Sequence, residues 1–190
     1  MKITTKQLVE SAIMIAIGTV LSFITLASPW KLGGGITVCS MLPLVILSHR
    51  HGTKVGVFAS CVYGLIQMII GFSNVQYATT FLMAMGIVLF DYIVAFGVVG
   101  FSAIFDKAIK NKLLSIIAGV VFTFTLRFIC HFTTGIWIWE ALWPNELGWA
   151  SWIWSLAYNA SYMLPEIVLT SVVIIASYKP LKSFWEKVKA

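Results

Sequence analysis

Arg127-Phe128-Ile129-Cys130-His131-Phe132-Thr133-Thr134-Gly135-Ile136-Trp137-Ile138-Trp139 places a guanidinium and an imidazole inside an apolar run long enough to cross a bilayer. Ionisable groups at membrane depth are costly, so they usually face a protein interior or a wet cavity and mark function. On a helix, Arg127, His131, Gly135 and Trp139 recur every four residues and share one face. That face offers a charge, a hydrogen-bonding ring, a gap and a large aromatic plane, and it reads as one wall of a small-molecule site.

Composition agrees with a membrane setting. Of the 190 residues, 59% are hydrophobic and 11% charged, and the mean hydropathy is +0.93. An ordinary soluble domain carries roughly 25% charged residues, so that class is excluded. At ~20 apolar residues per span, the chain has room for about six transmembrane helices. The expected fold is therefore all-α: one compact six-helix membrane bundle, residues 1–190 forming a single domain. The apolar runs cover about Gln7 to Ala27, Ile36 to Ser48 (interrupted by Pro43), Val55 to Phe72, Thr79 to Ile104, Leu113 to Ile138 and Ser151 to Tyr178. The three cysteines, Cys39, Cys61 and Cys130, sit inside these runs without metal-type spacing and read as small packed hydrophobes.

The net charge of +6 is an orientation signal rather than a nucleic-acid footprint. Lys2, Lys6, Arg50, Lys54, Lys107, Lys110, Lys112, Lys179, Lys182, Lys187 and Lys189 all fall on one side of the alternating loops. Lys31 falls on the other side, in the loop Ser28-Pro29-Trp30-Lys31-Leu32-Gly33-Gly34-Gly35, and Glu140 and Glu146 also lie on that side. The positive-inside rule then puts both termini in the cytoplasm of a cell-membrane protein. The segment Ser48 to Lys54 reads as a basic loop holding His49 and His51, without the carboxylate or thiol that would complete a metal site.

Orientation sets depth. At a rise of ~1.5 Å per residue, His131 lies roughly 10 Å, Asn159 roughly 12 Å, Arg127 roughly 17 Å and Asp91 roughly 18 Å below the outer surface. Trp30, Trp139, Trp149, Trp152 and Trp154 sit above them. These indoles form either an aromatic cage for a flat or cationic ligand or an interfacial belt. Asp91 either pairs with Arg127 or receives a cationic or amino-bearing ligand. Ser155, Asn159, Tyr162 and Glu166 share one face of the last run; Glu166 is read as packing or coupling rather than ligand shell. Ala12-Ile13-Met14-Ile15-Ala16 is a small-xxx-small pattern, for packing inside the chain or for docking another membrane subunit. No nucleophile with a positioned base, no metal spacing and no Walker loop is present, so neither catalysis nor ATP hydrolysis is expected.

Taken together, these residues resemble the thiamin-specific substrate-binding component of energy-coupling factor vitamin transporters. The likeness rests on Trp30-Lys31-Leu32-Gly33-Gly34-Gly35-Ile36, Met41-Leu42-Pro43, Val62-Tyr63-Gly64-Leu65-Ile66-Gln67 and Asp91-Tyr92-Ile93-Val94-Ala95-Phe96. It continues through Arg127 to Phe132, Gly135, and Tyr158-Asn159-Ala160-Ser161-Tyr162-Met163-Leu164-Pro165-Glu166. The resemblance implies a six-helix binding protein without catalytic activity, metal or cofactor of its own. It would capture thiamin from outside and work with a transmembrane coupling subunit and two ATPases, which alone use ATP. It further implies a substrate set of Trp30, Asp91, Tyr92, His131, Gly135, Trp139, Trp154 and Asn159. In that set Asp91 and Asn159 meet the aminopyrimidine, Trp139 stacks on a ring and Trp30 closes over the ligand. Ala12 and Ala16 take the docking role. Other expectations in play are the same kind of subunit for another vitamin or a pyrimidine, and an intramembrane enzyme using His131 and Asp91.

Overall fold

The structure, a computed structural model, describes residues 3–27 and 34–185. Helix α1, Thr5–Ser22, starts at a capping box. The Gln7 N–H donates to the Thr4 hydroxyl (3.3 Å) and the Thr4 N–H to the Gln7 carboxamide (3.0 Å), which satisfies end groups that the helix cannot. A short ribbon follows, β1 Thr25–Ala27 paired antiparallel with β2 Ile36–Thr37. This departs from the purely helical expectation. β-Branched Thr25 and Thr37 face each other across the ladder, and the strands supply backbone partners on either side of the Gly-rich loop.

The run from Ile36 to Ser48 therefore divides. Its start is β2, its middle a turn in which Cys39 takes φ 53°, and its remainder α2, Leu42–His51. Pro43 lies in the first turn of α2, where a missing N–H breaks no helical bond. The basic segment read as a loop is instead the end of this helix. His49 is fully buried, and Gly52 alone, at φ 87°, turns the chain into α3, Thr53–Ile70. Short α4, Phe72–Gln76, precedes α5, Phe81–Lys107, then α6, Lys112–Leu142, α7, Ser151–Tyr178, and short α8, Lys182–Trp185. Helices α3, α5, α6 and α7 are long and apolar enough to cross a membrane; α2, with 10 residues, is not. Large apolar side chains stand exposed along their outer faces, Phe81 and Leu82 at 81% and Trp137 at 74%. Such a surface suits hydrocarbon rather than water.

Two glycines fix how closely the long helices approach. A Cβ on Gly119 of α6 would lie 1.9 Å from the Ser102 carbonyl oxygen of α5, and one on Gly100 of α5 would lie 2.2 Å from the Val57 nitrogen of α3. Main chain thus rests on main chain in this part of the bundle. Beside it, Asp106 accepts from Ser115 (2.9 Å) and pairs with Lys112 (2.8 Å) and His49 (3.0 Å). Glu10 meets Arg50 (3.1 Å) and His51 (2.6 Å), and Arg50 also donates to the Ser183 and Phe184 carbonyls of α8. Pairing of this kind is what makes burial of ionisable groups tolerable. Toward the other end of α5 the helices part around a cavity.

In α5 and α6 the parting coincides with a change of helical pitch. Ile87–Ile93 of α5 and Gly135–Trp139 of α6 are π-helical. A π turn widens the helix by one residue and re-aims the side chains it carries, and such turns concentrate at functional sites.

Candidate functional site

The cavity, of about 400 Å³, falls within the usual range of small-molecule sites. Asp91, in the π segment of α5, lines it. The Trp139 indole Nε1–H, from the π segment of α6, donates to Asp91 Oδ2 at 2.8 Å. His131 Nδ1 lies 3.1 Å from Oδ1, and the Thr134 hydroxyl donates to the same oxygen. A carboxylate offers about four acceptor positions, so three internal donors leave one on Oδ2.

Arg127 does not pair directly with Asp91. Its Nε–H donates to His131 Nε2 (3.2 Å), its Nη1 reaches Met41 Sδ (2.7 Å), and its guanidinium lies 4.1 Å from the centre of the Phe96 ring. Because His131 Nε2 accepts from a guanidinium, Nδ1 carries the proton and donates to Asp91. Imidazole therefore relays between the two charges. The direct Asp91–Arg127 pair considered from the sequence is replaced by this three-membered chain, since the residue one helical turn along fills the gap.

The other expected residues surround the same space. Tyr92 lines it with its ring, while its hydroxyl donates to the Gly71 carbonyl (3.0 Å) and accepts from Asn74 (2.9 Å). Asn159 is tied into the wall: its amide donates to the Ser155 carbonyl (2.8 Å), and its oxygen accepts from Tyr162 (2.6 Å). Trp154 lines the cavity in an aromatic column, edge-on to Trp149 (6.3 Å) and tilted against Tyr158 (5.8 Å). Gly135 also lines it, but the gap it leaves is taken by the protein. A Cβ there would lie 2.1 Å from Ser155 Oγ, which donates to the Phe132 carbonyl (2.8 Å). Trp30 lies outside the described residues, as does Lys31. Ala12 and Ala16 stand away from the cavity, exposed on α1 beside Val9, Ile13, Ile17 and Val20. Gly18, near them in sequence, faces inward, its α-carbon side close to the Ser40 carbonyl.

Several cavity residues escaped the sequence reading, Glu166, Glu140 and Trp143 among them. Glu166 was assigned to packing, yet it lines the cavity and accepts from Thr37 twice, from N–H (3.1 Å) and hydroxyl (2.7 Å), fastening β2 to α7. Glu140 and Trp143 lie beyond Ile138, where the apolar run ends, and so fell outside the expected site. The helix continues to Leu142 and brings both to the lining. Trp143 stacks on Trp139, centroids 5.7 Å apart and planes 12° from parallel. Its four-residue spacing from Trp139 was the available signal.

The family described as Thiamine transporter protein (Thia_YuaJ) matches residues 8–185. Thiamine transporter ThiT of Bacillus subtilis is 31% identical over 180 residues, 88% of this chain and 88% of the relative. Thiamine transporter ThiT of Lacticaseibacillus paracasei is 28% identical over 184 residues, 89% of this chain and 86% of the relative. The solved structure of ThiT from Listeria monocytogenes superposes with a TM-score of 0.76 at 24% identity, covering 95% of this chain and 97% of that one; this likeness is one of fold.

Proposed function

This chain belongs to the thiamine transporter family, and we propose that it is the component that captures thiamin from the extracellular face and hands it to a transport machine. As a family member it is a membrane protein of thiamin transport, not an enzyme. The observation that carries the proposal is the Asp91 carboxylate, held by Trp139, Thr134 and His131 with one acceptor position to spare, in the wall of a cavity of about 400 Å³ rich in indoles and phenols.

Thiamin joins a flat aminopyrimidine to a permanent thiazolium cation. The spare Asp91 position accepts from the exocyclic amine, and the Asn159 carbonyl, with one lone pair unclaimed by Tyr162, offers a second acceptor in the same cavity. A ring stacks on the face of Trp139 that Trp143 does not cover. His131, Tyr92, Gly135 and Trp154 complete the wall, and Trp30 closes over the guest. Titrating purified protein with thiamin and following Trp fluorescence should give quenching with submicromolar affinity. If the free aminopyrimidine fragment binds as tightly as thiamin, the cargo is a pyrimidine and the thiamin assignment fails.

The wider arrangement belongs to the same proposal. The chain crosses the cell membrane six times with both termini in the cytoplasm, α1 and the segment of β2 and α2 from Ile36 to His51 adding to the four longer spans. It uses no cofactor and works with a transmembrane coupling subunit and two ATPases. The exposed Ala12 and Ala16 on α1, framed by aliphatic side chains, support docking of that subunit there. Ala12→Trp or Ala16→Trp should abolish thiamin uptake by cells and leave binding by the purified protein intact; loss of both would remove α1 from the docking role.

A further inference from the structure

Three carboxylates line the cavity, and they differ in what remains of their hydrogen-bonding capacity. Glu166 gives one oxygen to the Thr37 N–H and the other to the Thr37 hydroxyl. Asp91 has both oxygens engaged, by His131, Thr134 and Trp139. Glu140 is different. Its Oε1 accepts from the Asn145 N–H (3.3 Å) and from the Asn145 side-chain amide (2.8 Å), while its Oε2, buried, accepts from no described residue. A buried carboxylate oxygen without a donor is unfavourable unless something arrives to satisfy it.

No protein cation among the described residues is placed to do so. Arg127 is the only Lys or Arg in the described lining, and its N–H groups turn to His131 and Met41. A protein of net charge +6 thus carries a cavity whose described lining holds three carboxylates and one guanidinium. Glu140 also follows Trp139 directly in the last turn of α6, and Trp143, the residue after that helix, has its indole stacked on that of Trp139. A carboxylate beside two indole faces suits a flat cation, through charge and through the ring quadrupoles. Asn145 holds it in place: the side chain that grips Glu140 also accepts from the Trp149 N–H (2.9 Å) and donates to the Trp149 carbonyl (2.9 Å), so the 143–150 loop is folded around the same contact.

We propose that Glu140 is the carboxylate that receives the cationic thiazolium end of the ligand, Asp91 being left to the aminopyrimidine end; this rests on the thiamin reading above. Asn145 is its positioning residue. The two carboxylates then divide the ligand between charge and hydrogen bonding.

The test compares thiamin with its uncharged thiophene isostere, titrated by Trp fluorescence against the full-length protein in detergent. Glu140→Gln keeps the acceptor that Asn145 uses and removes the charge. It should weaken thiamin by about tenfold or more, as expected for a lost charge-assisted contact, and the isostere by less than about twofold. Glu140→Asp, which keeps the charge, should recover most of the loss, and Asn145→Ala should weaken thiamin more than the isostere. Equal weakening of both ligands in Glu140→Gln, or weakening of neither, overturns the assignment. Absence of thiamin binding by the unmodified protein would instead remove the underlying reading, and that result is visible before any variant is made.

Discussion

Among the described residues, two buried His–carboxylate pairs have their carboxylate on α5, and their surroundings differ. His49 and Asp106 lie 3.0 Å apart, His131 and Asp91 3.1 Å apart. Around Asp106 the remaining acceptor positions are taken by Lys112 and Ser115, in a region where α5 and α6 touch through their backbones. Around Asp91 the donors are Trp139, Thr134 and His131, and the helices open into a cavity. Buried ionisable groups in an apolar chain are therefore not in themselves a mark of binding. What separates the two pairs is the space left beside one of them and the acceptor position it has not yet used.

That contrast can be broken most directly at the solid pair. Asp106→Ala leaves Lys112 and His49 facing no carboxylate and should lower stability by about 3–5 kcal/mol, the usual cost of removing one partner from a buried pair. Thermal unfolding in detergent checks this, and thiamin affinity of the protein that remains folded should be unchanged. At the hollow pair the balance should reverse. Asp91→Asn removes the charged acceptor and should cost about 2–3 kcal/mol of thiamin binding, with a smaller change in unfolding temperature. Similar stability losses at both sites, with binding untouched, would erase the distinction. The smallest effect sharpens it: Trp139→Phe keeps an aromatic plane but loses the donor to Asp91, and should cost about 1 kcal/mol in a thiamin titration. If it instead costs as much as Trp139→Ala, the indole acts through its N–H and not through its face.

Much of the site was legible because helical spacing is a strong signal in long apolar runs. Arg127, His131 and Trp139 could be put on one face from the sequence, and Asp91 and Asn159 could be placed toward the outer side of the same bundle; all five line the cavity. The π turns could not be foreseen, since they are a compromise between neighbouring helices rather than a local preference. Yet they carry both Asp91 and Trp139. The end of α6 was misjudged because Glu140 is charged and Pro144 is close by, whereas the helix runs through Glu140 to Leu142, with Trp143 directly after it. The six apolar runs map onto helices at four full-length positions and at α1, while the second run contains a strand, a left-handed turn and a short helix. Hydropathy does not report that division, because a buried strand and a buried helix turn are equally apolar.

The contact of Gly119 with the Ser102 carbonyl has a mechanical corollary. Where two main chains rest on each other there is no cushion of rotatable groups to compress or reshuffle, so α5 and α6 are splinted together there and must travel as one body. Any breathing that admits a guest is thereby driven to the far end of the same two helices, where wider turns and stacked indoles supply the give that the splint denies.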